Sequence, residues 1–252
     1  MITLRNLLRW TSAMLASSAL VETVAAQDIA PGGVATGIAP PGFAAQAIAP
    51  RGLATSLAAP ATPTATPGPD GFLQRWMLLE PIPVSGEVNQ TAVQATVKKE
   101  YFPNQFTVLP KDGDQVTVGD GKYTWHAADT QHYNVNLYQF GYLLNKPTSN
   151  VIFWGVTIVN CPEDLPNVRL AIGSNAASVW WVNGQELAGI YGDRQTVIDD
   201  GVSKRITLKK GPNVVRVAVV NNGGATDFCA RFLDANDQPV TNLTESLSEV
   251  AH

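Results

Sequence analysis

Residues 168–184 read VRLAIGSNAASVWWVNG, and this stretch decides the fold class. Its first five residues alternate in hydropathy, and a second apolar run, residues 178–182, ends at Asn183-Gly184. An Asn-Gly pair after an apolar run is the strongest short signal for a β-hairpin, because both residues tolerate the positive φ angles of a type I′ turn. Short strands separated by Gly and Asn turns predict an antiparallel β-sandwich. Strands are expected at residues 151–159, 168–172, 178–182, 204–208, 213–220 and 227–233.

Further patterns complete the predicted fold. Residues 151–159 read VIFWGVTIV, and so continuous an apolar run indicates a strand that is covered on both faces. Residues 209–212, KKGP, predict a tight turn that joins the strands on either side of it. One short helix is expected at residues 91–102, where the apolar residues have helical spacing. The predicted fold is therefore all-β, an antiparallel β-sandwich over residues 71–240, with residues 241–252 as a disordered tail.

The first seventy residues differ in composition from the rest of the chain. Two arginines precede a mildly apolar stretch, and residues 24–26, VAA, form the small-residue pattern that signal peptidase cleaves. Residues 1–26 are therefore predicted to be a signal peptide and the mature protein to be secreted. An uncleaved membrane anchor is the alternative, which the shortness of the apolar run disfavours. Residues 27–70 contain 12 Ala, 8 Pro and 6 Gly, and they are predicted to be a disordered linker because such side chains bury little area on ordering.

Charge and cysteine content exclude some classes of function. The chain has 17 basic and 21 acidic side chains, so no positive excess is available to bind the phosphates of a nucleic acid. With 2 cysteines and 3 histidines, a clustered zinc site is not expected. An even cysteine count in an exported protein favours a disulfide, here between Cys161 and Cys229. Two buried free thiols are the alternative.

Three segments together resemble the galactose-binding-like jelly-roll domains of bacterial secreted proteins. Residues 72–83 (FLQRWMLLEPIP) look like the W-x-x-L-G-P-F-P start of these domains. Residues 169–184 are similar to their G-S-D-D-G-x-x-V-W-x-N-G hairpin. Residues 208–217 (LKKGPNVVRV) resemble their L-K-x-G-x-N-x-L-x-V pair of strands.

This resemblance implies a jelly-roll sandwich that binds sugar. The sugar-binding domain of family 2 glycoside hydrolases shares the hairpin, and similar domains occur beside acetylxylan esterases. The resemblance therefore also implies a polysaccharide-degrading enzyme as a partner. The chain departs from the family pattern at residues 175–176, where Asn-Ala stands in place of the usual paired acids. It departs again at residues 80–82, where Glu-Pro-Ile replaces G-P-F.

The hairpin and the loop after it carry the first predicted binding residues. A sandwich that binds sugar needs an aromatic face for the apolar side of the sugar ring and planar polar groups for the hydroxyls. Trp180 and Trp181 are consecutive, so their side chains point to opposite faces of a strand. If Trp180 lies in the core together with Val182, then Trp181 is exposed. The loop is expected to bring three more binding residues to the same end, namely Tyr191, Asp193 and Arg194.

A second aromatic and amide-rich stretch runs from residue 125 to residue 138. Trp125 and Tyr138 are its predicted carbohydrate-binding residues. Core packing is the competing interpretation for each aromatic residue, because these side chains bury a large area. Trp76 and Trp154 lie inside apolar runs and are expected in the core. The other polar and aromatic members of the stretch include His126, Tyr133 and Asn134.

No catalytic residue is predicted. The chain lacks the Gly-x-Ser-x-Gly nucleophile elbow, and the nearest serine-containing turn, at Ser174, lies between two strands instead of between a strand and a helix. Carboxylates in the loops, together with one asparagine amide, could supply oxygen ligands for a structural Ca²⁺. Acidic residues that are simply exposed to solvent in turns are the alternative interpretation. No cofactor is expected. The residues concerned are Asp193, Asp199, Asp200 and Asn175.

The sequence therefore predicts an exported, non-catalytic carbohydrate-binding module that binds a polysaccharide or oligosaccharide. Neither nucleic-acid binding nor stable membrane insertion is expected. Two alternatives remain open. One is an acetylxylan-esterase-type enzyme, and its only support is that the domains this chain resembles occur beside acetylxylan esterases. The other is a cell-surface adhesion or structural domain with a protein partner.

Overall fold

This computed structural model describes residues 55–56, 60 and 62–248, and strands are its main regular secondary structure, with only two short helices. The predicted signal peptide and most of the predicted linker lie outside the described residues. The elements in chain order are β1 (Thr55–Ser56), β2 (Thr64–Ala65), β3 (Arg75–Pro83), α1 (Gln90–Lys98), β4 (Gln115–Val118), β5 (Gly121–Thr130), β6 (Val135–Asn136), α2 (Leu137–Leu143), β7 (Val151–Cys161), β8 (Leu165–Ser174), β9 (Ala177–Val182), β10 (Gln185–Ile190), β11 (Gly201–Val202), β12 (Ile206–Leu208), β13 (Gly211–Asn221), β14 (Asp227–Leu233) and β15 (Thr244–Ser246).

The strands form two antiparallel sheets. The larger sheet has the order β1-β5-β3-β7-β13-β9-β10, with β4 beside β5, β15 beside β7 and β2 beside β15. The smaller sheet has the order β11-β8-β14-β6, with β12 beside β8. Its apolar face packs on the larger sheet, which confirms the predicted all-β sandwich.

Aromatic side chains form the centre of the core between the two sheets. Trp76 and Trp180 of the larger sheet both meet Phe228 of β14 edge to face, with ring centroids 5.0 and 5.3 Å away. This geometry is favourable for aromatic pairs because the edge of one ring meets the negative face of the other. The prediction that Trp76 lies in the core is confirmed, because it is fully buried.

A third layer covers the outer face of the larger sheet. It consists of α1 and the segment after it, which place Val93, Val97 and Phe102 on the sheet. The strands beneath this layer are buried on both faces, and every residue of β7 is buried. This explains the continuous apolar run of β7, since neither face of the strand meets water. Trp154 of β7 packs between the larger sheet and this layer, fully buried as predicted.

Both helices are short and begin at an asparagine cap. The Asn89 side chain accepts a hydrogen bond from the Ala92 N–H at 3.0 Å, which starts α1 close to the predicted position. The helix ends at Lys98, earlier than expected, and an extended Lys99 follows it. Helix α2 was not predicted, because its aromatic and glycine content gives a weak helical pattern. Neither of these two helices is long and apolar enough to cross a membrane.

The two predicted turns have different outcomes. The Asn183-Gly184 hairpin is confirmed, with φ angles of 51° and 79° and with β9 paired to β10. The turn at residues 209–212 does not join paired strands. Strand β12 pairs with β8 of the smaller sheet, whereas β13 lies between β7 and β9 of the larger one. That turn therefore carries the chain from one sheet to the other.

The sheet extends beyond the predicted domain limits at both ends. Strand β15 lies inside the predicted disordered tail, and its Glu245 carboxylate accepts hydrogen bonds from the Gln74 and Arg75 N–H groups at 2.8 and 3.0 Å. Strands β1 and β2 lie inside the predicted linker, and the Arg75 guanidinium donates to the Thr62 carbonyl at 2.9 Å. These short strands are held by partners distant in sequence, and their local composition gives no sign of that.

The predicted disulfide is wrong, because Cys161 and Cys229 are free and buried. Cys161 ends β7 shortly before β8 begins at Leu165, whereas Cys229 pairs with Gly173 near the other end of β8. Residues 165–173 extend about 26 Å along the strand at about 3.3 Å per residue, and a disulfide needs Cα atoms within about 7 Å. Burial raises the pKa of Cys161 to about 11 and that of Cys229 to about 12, so both thiols are protonated at neutral pH.

Candidate functional site

The structure places Trp181 of β9 in the core between the larger sheet and the layer formed by α1 and the following segment. Trp180 faces the smaller sheet and Trp181 faces the opposite way, as the alternation predicted. The prediction that Trp181 is exposed is wrong, since it is only 7% exposed. It stacks on Trp154 with centroids 5.9 Å apart and meets Phe106 at the same distance. The layer formed by α1 and the following segment covers the face that the sequence suggested was open.

The loop after the hairpin uses its polar groups internally. The Tyr191 hydroxyl accepts a hydrogen bond from the Gln94 amide at 2.6 Å, and the ring is half-buried. Arg194 donates to the Tyr191 carbonyl at 2.6 Å and pairs with Asp200 at 2.9 Å. Asp193 is exposed on the same loop. Because Trp181 is covered, the structure does not assemble these residues around an accessible aromatic face.

The second predicted stretch is divided between core and surface. Trp125 is 1% exposed and packs edge to face on Phe102, so it offers no surface to a ligand. Tyr138 is exposed on α2, as a binding residue requires. Between them, Tyr133 is also exposed, and it borders a cleft.

This cleft has a volume of about 280 Å³ and lies where the chain approaches β3. One wall is the turn at residues 68–71 (GPDG), closed by the Gly71 N–H donating to the Gly68 carbonyl at 2.9 Å. Proline in second place and glycine in fourth place are favoured in a type I turn. Gly71 has a φ of 72°, and a Cβ there would lie 3.1 Å from the Pro239 Cβ and from the Val240 carbonyl oxygen. The turn therefore requires glycine at this position.

The opposite wall is the loop at residues 131–134, between β5 and β6. The Gln74 side-chain amide donates to the His132 carbonyl at 2.9 Å. The Asn134 side-chain amide donates to the Asp227 carboxylate on β14. Hydrogen bonds from β14 and from the segment before β3 thus hold the loop on both sides.

Tyr133 forms the aromatic face of the cleft and is 42% exposed. Its ring centroid lies 5.7 Å from that of Phe72, with the planes tilted by 58°. The Arg231 guanidinium lies 4.9 Å from the Phe72 centroid, a cation–π contact. Two hydrogen bonds to Asp199 and one to the Asp70 carbonyl hold the guanidinium in place. An ion pair thus supports both the ring beside Tyr133 and the turn of the opposite wall.

The remaining lining of the cleft is rich in polar groups. The carboxylate of Asp70 and the amide of Gln131 are exposed, and Gln74 is half-buried. Burial raises the pKa of the Tyr133 hydroxyl, with a contribution from the negative charge of Asp227, so the hydroxyl is protonated at neutral pH. It can donate one hydrogen bond and accept others. The cleft therefore offers an aromatic ring together with planar amides, a hydroxyl and a carboxylate.

A second cleft, of about 300 Å³, contains another tyrosine, Tyr101. The ammonium of Lys99 lies 5.2 Å from the centroid of the Tyr101 ring, so that ring already has a cation against its face. Burial raises the pKa of Tyr101 as well. Within the described part of the chain no cation contacts the Tyr133 ring in this way, so the cleft at Tyr133 is the better candidate for a ligand with an apolar face.

Four of the five residues considered for catalysis or for calcium are engaged with the protein itself, and the fifth, Asp193, is exposed on its loop. Ser174 is fully buried, and its hydroxyl donates to the Asp227 carbonyl at 3.1 Å. The carboxylates of Asp199 and Asp200 pair with arginines. The side-chain oxygen of Asn175 accepts from the Asp227 N–H at 3.0 Å. The possible calcium ligands therefore do not converge, and no group of three metal-binding side chains occurs within the described ranges.

Sequence reasoning did not identify the turn at residues 68–71 as part of a site. It assigned residues 68–70 to the linker, because Pro and Gly are frequent there, and began the sandwich at Gly71. The sequence GPDG directly before the first apolar strand is nevertheless a specific turn signal. Such a turn places Asp70 beside the start of the sandwich. The importance of Tyr133 depends on its contact with Phe72, which is far away in sequence.

Comparisons with known proteins leave the family open. No protein-family model and no curated protein matches the chain. Among solved structures, it is similar to the PA14 sugar-binding domain from an RTX adhesin, with 12% identity over 68% of this chain and 96% of that one, at a TM-score of 0.38. It is similar to the PA14 domain of the antifreeze protein MpAFP, with 9% identity over 68% and 89% of the two chains, at a TM-score of 0.40. A β-glucosidase from Kluyveromyces marxianus in complex with glucose has 19% identity over 44% of this chain and 13% of that chain, at a TM-score of 0.32. At such low TM-scores, these likenesses assign the chain to no family.

Proposed function

We propose that the protein is a carbohydrate-binding module that holds a sugar unit in the cleft between residues 68–74 and 131–134. The observation that carries the proposal is the Tyr133 ring, 42% exposed and fixed against Phe72 at the edge of a polar cleft. A pyranose has an apolar face that packs on an aromatic ring and hydroxyls around its rim. Sites for such ligands combine an apolar surface with a few well-placed polar groups.

The geometry supports weak binding of a single sugar unit. An aromatic contact contributes about 1 kcal/mol, and each hydrogen bond exchanged with water contributes about 1 kcal/mol net. These few favourable contacts are set against the loss of translational and rotational freedom on association, so a single sugar unit should bind weakly, with a dissociation constant of about 1 mM or higher. A polysaccharide that presents many copies of the unit would be retained more strongly through repeated contacts.

Affinity electrophoresis in gels that contain soluble polysaccharides tests the proposal. The Tyr133→Ala variant should bind about five- to tenfold more weakly, the equivalent of about 1–1.4 kcal/mol. Tyr142→Ala is the matched control, because Tyr142 is 72% exposed on α2 and does not line the cleft. Tyr138→Ala tests one of the binding residues that the sequence predicted. Equal retardation of the wild type and the Tyr133 variant by a polysaccharide that binds would contradict the proposed site.

Export and an enzyme partner belong to the same proposal. The N-terminal pattern at residues 1–26 supports secretion. The resemblance to galactose-binding-like domains that occur beside acetylxylan esterases supports a polysaccharide-degrading enzyme as a partner. Mass spectrometry of the protein from culture medium should find an N-terminus at Gln27. Retention of Met1 in a cell-associated protein would contradict export and leave the binding site untouched.

A further inference from the structure

We infer that the cleft selects neutral sugars over acidic ones, and that the Asp70 carboxylate sets this preference. The inference rests on the proposed function, because it names the class of sugar that the same cleft takes. Asp70 is the third residue of the turn at residues 68–71, and its side chain is exposed where the turn lines the cleft. A sugar on the Tyr133 ring would therefore lie beside a carboxylate.

The charges around the cleft leave Asp70 without a direct partner. The nearby Arg231 is engaged by both carboxylate oxygens of Asp199, and it reaches Asp70 only through the backbone carbonyl, at 3.0 Å. Among the described residues, no side chain donates a hydrogen bond to the Asp70 carboxylate. Arg231 attracts that carboxylate through space, and the paired charge of Asp199 acts against this attraction.

A second negative charge acts in the same direction. The Asp227 carboxylate accepts hydrogen bonds from the neutral side chains of Asn134 and Thr196. Among the residues that the structure describes, no cationic side chain forms an ion pair with it. This carboxylate is close enough to Tyr133 to contribute to the raised pKa of the phenol. Asp70 thus lines the same cleft as the Tyr133 ring, and Asp227 adds a second negative charge close to that ring.

A carboxylate favours one kind of ligand and opposes another. It is a strong acceptor for sugar hydroxyls, because hydrogen bonds to an ionised group are stronger than those between neutral groups. It repels the carboxylate of a uronic acid, and an unpaired charge of like sign is a recognised device for rejecting the wrong ligand. Because Asp70 is exposed, this repulsion should be moderate and should fall as salt screens it.

Saturation-transfer NMR titrations with methyl β-D-glucoside and methyl β-D-glucuronide, and with the matching galactose pair, test the inference. The members of each pair differ only in the group at carbon 6. At 20 mM salt, the wild-type protein should bind the neutral member about fivefold more tightly, and at 500 mM salt the two affinities should converge. Asp70→Asn should bring the affinities together at low salt as well. Asp70→Glu, which keeps the charge, should retain the preference.

The outcomes separate this inference from the proposed function. Equal binding of the neutral and acidic members by the wild type at low salt, or an unchanged preference in Asp70→Asn, would overturn the inference. Loss of binding in Tyr133→Ala would still support the cleft as a sugar site in that case. If neither sugar pair binds, or if Tyr133→Ala binds like the wild type, the proposed site fails and the inference fails with it.

Discussion

Replacing Glu245 with glutamine should abolish a loss of stability that the wild-type protein suffers between pH 5 and pH 7. Glu245 is 1% exposed on β15. Burial raises its pKa from 4.5 to about 7, against the lowering effect of hydrogen bonds from the Arg75 and Gln74 N–H groups and of the Arg75 charge. The folded state therefore binds a proton more tightly than the unfolded state does. The free energy of unfolding must fall as the pH rises through this window.

The size of the effect follows from the difference in pKa. Each pH unit between the unfolded and folded pKa values corresponds to 1.36 kcal/mol, so a pKa of about 7 implies a loss of about 3 kcal/mol. Glutamine has nearly the same shape, and its side-chain oxygen can accept the same two N–H groups. Relative to the wild type, Glu245→Gln should therefore gain up to about 3 kcal/mol between pH 4.5 and pH 8.

Urea denaturation at half-unit steps from pH 4.5 to pH 8.5 measures the effect, with the unfolding free energy extrapolated to zero urea. Other groups that titrate in this range are common to both proteins, so the difference between variant and wild type isolates Glu245. Glu87→Gln is the matched control at an exposed glutamate. Parallel pH profiles of wild type and Glu245→Gln would refute the reasoning. A wild-type profile that rises more steeply than that of the variant would show that the Arg75 charge outweighs burial.

Three further predictions follow from the packing. Trp181→Ala should destabilise the fold by about 3–5 kcal/mol, measured by thermal and urea unfolding, and a stable variant would show that the outer layer does not depend on this ring. Cys161 and Cys229 should both react with iodoacetamide in the unfolded protein without reductant, and both should resist it in the native protein. A mass of the untreated protein 2 Da below that of the reduced protein would instead indicate a disulfide. Gly71→Ala should cost about 1–3 kcal/mol, because the residue has a positive φ and lacks room for a Cβ; an unfolding midpoint equal to that of the wild type would contradict this.

The six strands expected from the sequence were predictable because their signals are local, whereas β3 and β5 were not among the expected strands. The continuous apolar run of β7 and the Asn183-Gly184 turn each identify an element by composition and spacing alone. The alternation also gave the correct faces for Trp180 and Trp181. The exposure of Trp181 was not predictable, because it depends on where α1 and the following segment pack.

The site was only partly predictable for the same reason. The stretch from residue 125 to 138 does contain the aromatic residue of the cleft, but nothing local distinguishes Tyr133 from its buried neighbour Trp125. The contact with Phe72 and the ion pair behind it join parts of the chain separated by many residues. Strand β15 shows the same limit, since its place in the sheet depends on hydrogen bonds to β7 and to the start of β3.

Amide chemical-shift mapping tests the cleft most directly. A ¹⁵N-labelled protein titrated with an oligosaccharide from a polysaccharide that retards it should show its largest shifts in residues 68–74 and 131–134. The same titration of Tyr133→Ala should show much smaller shifts. Shifts confined to residues 189–194 or to α2 would place the sugar elsewhere and would contradict the cleft as the binding site.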